Sequence, residues 1–426
     1  MRKEFLPFAK PMVSEEAIAD VADSIRKGWL AMGPKTVDFE QKFADYVGCK
    51  FGISVNSATA GLHLAVMALI EPGDEVITTP MTFASTVNAI VFAGGKPVLV
   101  DIDPHTFNID INKIEEAITP KTKAIIPVHF AGRPCDMDAL EALAQKYNLG
   151  IIEDSAHALG AEYKGKKIGF GRGARHIAVF SFHPTKNITT GEGGMICTND
   201  EEAAELMSMQ RQNGMSKGAW NRYQANGKAH YDIFRPGLKY QMMDIQAAIG
   251  RDQLTHLEDF NNRRREIVAR YQRELKDVRG LILPPEIEEG NVHSWHIYTP
   301  LIDIDELGFS RDDFMAKMSA KNIGTEKISQ VIELSKEEAE NKRSKIMSTL
   351  RVAIQKYGMN MSEKRTAELL QGTVEVIDTG STGRGTNLPG DGDFDFMVRL
   401  DGKIFSNSKQ LKEMINNALS SKEKPE

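Results

Sequence analysis

The chain has 426 residues, room for two or three domains with separate cores. Its 41% hydrophobic and 26% charged residues are ordinary for a soluble globular protein, and a net charge of -6 argues against a general nucleic-acid binder. Cys49, Cys135 and Cys197 are too widely spaced for a disulfide framework or a zinc cluster, which suits a reducing cytoplasm. The start Met1-Arg2-Lys3-Glu4-Phe5 lacks the apolar run of a signal peptide, and no apolar stretch approaches the ~20 residues of a membrane helix.

In chain order, residues 51–55 read as a strand, and Leu62, Val66 and Leu69 follow at helical spacing. Residues 75–78 predict another strand and 82–92 a helix. Residues 97–100, 124–127, 150–153 and 177–182 are further β-rich runs bounded by turn residues. Strands alternating with helices imply a mostly parallel sheet covered on both faces, with ligands at the carboxyl ends of its strands. Residues 251–277 predict a long helix with Leu254, Leu257, Ile267 and Tyr271 on its apolar stripe. Residues 293–303 then read as a strand, and 311–321 as a helix opened by Ser310, with Asp313 completing an acidic capping box. Beyond Thr325 the spacing predicts a charged amphipathic helix over 335–357. Strands over 374–377 and 394–400 follow, separated by a glycine-rich loop.

Four features carry chemistry. Lys186 sits in Ser181-Phe182-His183-Pro184-Thr185-Lys186-Asn187, just before Gly191-Glu192-Gly193-Gly194. A lysine serves Schiff-base chemistry only where its pKa is lowered, and a short loop after a buried strand suits that use. The glycines let a flat ligand approach. Asn56-Ser57-Ala58-Thr59-Ala60, between a strand and a helix, offers N–H groups, hydroxyls and a positive dipole end to a phosphate; Ser57 also suits simple helix capping. Asp154, ending a strand, can hold a pyridine nitrogen protonated or cap the next segment. Phe83 can stack on an aromatic ring or pack in the core. Phosphate seat, pyridinium partner, stacking ring and Schiff-base lysine together describe pyridoxal phosphate (PLP).

Over residues 5–325 the chain resembles the DegT/StrS-type sugar-nucleotide aminotransferases, within the α/β aspartate-aminotransferase architecture (fold type I). The resemblance rests on Gly28-Trp29-Leu30 with Gly33-Pro34, Ser57 to His63, Pro72 to Ile77, Glu153-Asp154-Ser155-Ala156-His157, and the lysine loop with its glycines. Tyr240 to Ala248 and His293-Ser294-Trp295-His296 complete it. It implies a PLP-binding large domain over 1–250 and a truncated small α+β domain over 251–325. It also implies roles: Lys186 for the Schiff base and proton transfer, Asp154 for the pyridinium, Phe83 stacked on the ring and His157 beside it. Ala58, Thr59 and Ser181 would hold the phosphate. Gln241 stands where the family commonly uses asparagine or arginine to complete a neighbouring subunit's site. His183 fits either a packed loop residue or a substrate contact. The implied reaction is ping-pong transfer from glutamate to a keto sugar nucleotide by a cytoplasmic homodimer. Enzymes that aminate C4 of a UDP-4-keto pentose for lipid A modification look most similar.

A second constellation lies near the end. Asp393 and Asp395, two apart, share a face if the segment is a strand, and paired carboxylates bind magnesium; Gly380-Ser381 can seat nucleotide phosphates. This resembles nucleotidyltransferases of the polymerase β type, especially the oligoadenylate-synthase-like and cyclic-dinucleotide-synthase-like branches. That family's third carboxylate and helical domain do not follow, and the aminotransferase pattern after Gly324-Thr325 lacks its histidine-bearing loop. The expectation is an aminotransferase joined to a partial nucleotidyltransferase-like α+β segment over 326–426. The alternatives are a magnesium-dependent nucleotidyltransferase on an aminotransferase scaffold and a catalytically incomplete fusion.

Overall fold

The computed structural model describes residues 4–215, 232–325, 374–378 and 396–400. The chain divides into two units, residues 1–327 and 328–426. In the first unit helices α1 (Glu15–Lys27) and α2 (Pro34–Val47) precede β1 (Phe51–Val55) and α3 (Ala58–Leu69). Then come β2 (Glu75–Thr78), α4 (Ala84–Phe92), β3 (Lys96–Leu99), α5 (Ile111–Ile114), β4 (Thr122–Ile125), α6 (Met137–Tyr147) and β5 (Gly150–Asp154). A small hairpin, β6 (Glu162–Tyr163) with β7 (Lys166–Lys167), leads to β8 (His176–Ser181), β9 (Gly194–Thr198) and α7 (Glu201–Gln210). Helix α8 (Asp244–Leu275), the pair β10 (Leu281–Ile282) and β11 (Leu301–Ile302), α9 (Ile304–Leu307) and α10 (Arg311–Ser319) complete it.

The central seven-stranded sheet has the order β1-β9-β8-β5-β4-β2-β3. Strands β8, β5, β4, β2 and β3 pair in parallel, whereas β9 runs antiparallel to both β1 and β8. The sheet is therefore mixed, because the glycine run after Lys186 turns the chain straight back into β9.

Successive strand residues face opposite sides, and both sides are covered. Ile152, Val179 and Ile196 pack with Leu62 and Val66 of α3, Ile90 of α4 and Met207 of α7. Ile151, Ala178 and Cys197 pack on the other side with Phe39 and Phe43 of α2, Leu140 of α6 and Leu257 of α8. Phe39, Phe43, Phe180 and Phe182 are fully buried, each contributing roughly 1.5–3 kcal/mol by leaving water.

Several elements differ from expectation. Only Leu301–Ile302 of the strand expected over 293–303 forms. Ser294 and His296 spend their amides on the carbonyls of Gly132 and Ala131, and Trp295 takes φ 47°, which breaks an extended run. The helix expected from Thr82 starts at Ala84, because Phe83, its N-cap, keeps an extended backbone with ψ 149°. Helix α8 begins at Asp244 rather than 251, and its Ile267 and Tyr271 are exposed rather than packed. Helix α10 begins at Arg311 behind the N-cap Ser310 with the expected capping box, Asp313 N–H donating to Ser310 Oγ at 3.1 Å.

In the second unit β12 (Val374–Asp378) and β13 (Phe396–Leu400) pair antiparallel, Val374 opposite Leu400 and Asp378 opposite Phe396. Gly380, Ser381, Asp393, Asp395 and the helix expected over 335–357 lie outside the described residues.

Candidate active site

Three strand ends converge on the start of α3. Val55 and Ser181 both stand opposite Gly194 in the ladder, so β1, β9 and β8 bring the Ser57 turn and Ser181 together. Gly194 is required there: a Cβ on it would lie 2.8 Å from the Ala58 nitrogen. Ser57 caps α3, its Oγ accepting from Ala60 N–H at 3.2 Å. Capping takes the third amide and leaves those of Ala58 and Thr59 without a partner among the described residues, aimed out of the helix with its positive dipole end. Gln241 bridges to Val55 beside this turn, where Asn56 N–H donates to Tyr240 O at 2.7 Å, and its Oε1 is buried without a partner.

Asp154 ends β5 and is 4% exposed. Its Oδ2 accepts from Thr86 Oγ1 at 2.6 Å and its Oδ1 from Ala156 N–H at 3.2 Å. Thr86 has one hydroxyl proton and gives it to Asp154, so Thr82 is the donor in the Thr82–Thr86 bond. The carboxylate is thus held from the side of α4, at whose N-terminus Phe83 stands 74% exposed. That exposure removes the core reading of Phe83 and leaves a free aromatic face.

Lys186 makes no side-chain hydrogen bond or ion pair among the described residues; its backbone N–H donates to His183 O at 2.9 Å. Burial pushes its pKa down to about 8 from 10.5, against the pull of the Asp154 carboxylate. His157 lies close enough to feel it: burial, then the Lys186 charge, holds the imidazole well below its ordinary pKa. The His157 ring packs on that of His296, centroids 4.4 Å apart, and the Nδ1 atoms of both are buried without partners. His183 is exposed and bonds Thr185 Oγ1 within its own loop at 3.0 Å.

Sequence reading missed the buried group behind Asp154. Glu153, on the opposite face of β5, accepts from His129 Nε2 at 2.8 Å and His176 Nε2 at 2.9 Å. Cys135 N–H donates to His129 Nδ1 at 3.0 Å, which fixes the proton of His129 on Nε2. Burial raises the Glu153 pKa, but the hydrogen bonds from His129 and His176 outweigh it and hold the carboxyl well below its ordinary value. Thr82 and Thr86 left a usable signal, four apart at the start of a helix. His129 and His176 left none, being remote from Glu153 in sequence.

The residues fit PLP. Free amides and a serine suit its phosphate, a fixed carboxylate its ring nitrogen, an exposed aromatic its ring, and an unpaired lysine of lowered pKa its aldehyde. The orphaned Nδ1 of His157 and Oγ of Ser155 mark polar groups that lack a partner in the protein alone.

The sequence pattern of the DegT/DnrJ/EryC1/StrS aminotransferase family matches residues 11–371, running past Thr325. The protein MJ1066 of Methanocaldococcus jannaschii, described as uncharacterized, is 51% identical over 326 residues, covering 76% of this chain and 83% of that protein. SpsC of Bacillus subtilis, a spore coat polysaccharide biosynthesis protein, is 47% identical with the same coverage of each chain. The PLP form of the putative sugar aminotransferase Spr1654 from Streptococcus pneumoniae matches with a TM-score of 0.68 and 32% identity, covering 76% of this chain and 85% of that one. No helix among the described residues is long and apolar enough to cross a membrane. The chain belongs to the DegT/DnrJ/EryC1/StrS aminotransferase family and is a PLP-dependent transaminase of fold type I, built on a mixed α/β sheet.

Proposed function

We propose that the enzyme transfers an amino group from glutamate to the keto carbon of a sugar nucleotide, a UDP-4-keto sugar, for cell-surface polysaccharide or lipid A sugars. Similarity to SpsC and to a putative sugar aminotransferase supports the substrate class. The observation that carries the chemistry is Lys186: an amine without a partner, its pKa lowered to about 8, in the field of the buried Asp154.

When bound, PLP supplies a carbonyl that condenses with amines and a ring that draws electrons from the bond being broken. Lys186 Nζ, neutral in about half the molecules near pH 8, accepts and returns the migrating proton. Asp154, held by Thr86 and the Ala156 amide, turns its remaining lone pairs to the ring N–H and keeps that proton in place. Phe83, whose ring is exposed, would supply a stacking face for the cofactor and exclude water there. His157 would line the cofactor's site as a neutral ring, its pKa held well below the ordinary value, so it would add no charge that competes with Lys186. The amides of Ala58 and Thr59, with the Ser57 and Ser181 hydroxyls, hold the phosphate. Gln241 donates its side-chain N–H to a phosphate across a homodimer; exposed Ile233, Phe234 and Met243 on the chain around it are apolar surface for that contact. The three free cysteines suit work in the cytoplasm.

The test is transfer itself. With glutamate and a UDP-4-keto pentose, 2-oxoglutarate and an amino sugar nucleotide form together, and Lys186→Ala lowers the rate by roughly 10²–10⁴-fold or more. Amination of simple keto acids with none of any keto sugar nucleotide would contradict the substrate assignment.

A further inference from the structure

The residue after Lys186 is the hub of a buried polar node. Asn187 is 5% exposed, and its Nδ2 donates to Asn261 Oδ1 at 2.7 Å and to Ser294 O at 3.0 Å. Asn261, on α8 and fully buried, donates its own Nδ2 to Leu159 O at 3.1 Å. Ser294, also fully buried, donates its Oγ to His157 O at 2.8 Å. Two routes therefore run from the lysine loop to the turn that carries His157: one through the α8 amide, one through the 293–296 crossing.

The carboxamide orientations follow from the partners. Leu159 O accepts only, so Asn261 presents nitrogen to it and oxygen to Asn187. Asn187 must then present nitrogen, and both of its N–H groups are used, one on each route. Two glycines make room. A Cβ on Gly160 would lie 2.2 Å from Asn261 Nδ2, and one on Gly132 would lie 2.2 Å from Ser294 Oγ. The crossing is fixed independently by Ser294 N–H to Gly132 O at 3.1 Å and His296 N–H to Ala131 O at 3.0 Å, which seats His296 against the His157 ring.

We propose that Asn187, with Asn261 and Ser294, forms a positioning node that sets the Lys186 amine against His157 and ties both to helix α8 and the 293–296 crossing. A side chain that only stabilised the loop would need one partner; this one bonds the two segments that frame the site. Any shift of α8 or of the crossing is carried to the lysine loop through Asn187. Opening the node admits water to the loop, removing the burial that lowers the Lys186 pKa.

The inference rests on Lys186 being the reactive lysine, and the experiment separates the two claims. The apoprotein is labelled with a trace amine-acylating reagent across pH, and the Lys186 peptide is quantified by mass spectrometry; the PLP-loaded enzyme is assayed in parallel. In wild type the labelling midpoint is near pH 8. In Asn187→Ala it rises by one unit or more, and kcat of the loaded enzyme falls at least tenfold with KM for glutamate within threefold. Ser294→Ala, which keeps the backbone acceptor and loses the hydroxyl's bond to His157 O at 2.8 Å and its longer one to Gly132 O at 3.5 Å, shifts both in the same direction by less. If Asn187→Ala does not fold, Ser294→Ala alone carries the test. Asn187→Ala combined with Asn261→Ala changes kcat no more than the single variants, since they break one node. Unchanged midpoint and kcat beside a lowered melting temperature would overturn the proposal, leaving a purely structural node. A wild type that takes no PLP on Lys186 would instead overturn the functional reading.

Discussion

Lys186 and Asp154 set opposing demands on one site: burial drives the amine toward neutrality, while the carboxylate favours its charged form. The balance at about 8 makes the apoprotein's stability depend on pH. The folded state holds fewer protons than the unfolded chain between pH 8 and 10.5, so stability rises with pH through that window and this contribution is flat below it. Urea unfolding of apo wild type and Lys186→Met across pH 7 to 10.5 should show that slope in wild type and lose it in the variant. Asp154→Asn, which cannot keep the ring nitrogen protonated, should lower kcat by roughly 10²–10⁴-fold. Thr86→Val removes the donor to Asp154 Oδ2, and with it the acceptor of the Thr82 hydroxyl, and costs less, about tenfold, as a hydrogen bond to a charged group. Both are read in steady-state assays with saturating PLP. Lys186 and Asp154 were legible because each follows a β-rich run, and strand ends are where such sheets bind ligands. Glu153 and the Asn187 node were not, because their partners are remote in sequence and nothing local reveals the pairing.

Among elements, α2 shows how the site's frame is tied across the chain. Its N-terminus at Gly33-Pro34 has no cap of its own; Asp244, the first residue of α8, accepts from the amides of Gly33 and Thr36 at 2.9 Å and from Thr36 Oγ1 at 2.6 Å. Asp244→Ala strands those buried donors, and urea unfolding should show a loss of about 2–4 kcal/mol. The motif Gly33-Pro34 was visible in the sequence, but its partner, more than 200 residues away, was not. The strands β1, β2, β3, β4, β5 and β8 were close to expectation because their apolar runs are bounded by turn residues. Strand β9 escaped because its glycine-rich entry, Gly191-Glu192-Gly193-Gly194, reads as loop. That glycine matters in space: Gly194→Ala presses a methyl on the Ala58 amide and on the Phe180 carbonyl of β8, and should weaken PLP binding in fluorescence titration together with a lowered melting temperature.

At the scale of the molecule, the large α/β core with its paired β9 carries the residues proposed for the cofactor, and the segment over 293–300 is a crossing that binds back to Ala131 and Gly132 rather than a strand. Its amphipathic pattern misled because backbone bonds to a remote turn, with Trp295 at positive φ, outweighed local β-propensity. The family match through residue 371 places the transaminase identity on most of the chain, while the proposed magnesium pair, Asp393 and Asp395, plays no part in the account. The central claim is that one lysine holds the cofactor. Reduction of the PLP-loaded enzyme with borohydride, followed by peptide mass spectrometry, tests it most directly. A single stable pyridoxyl adduct on Lys186, absent in Lys186→Ala, is the expected result; an adduct on another lysine, or none in a preparation saturated with PLP, would overturn the role given to Lys186.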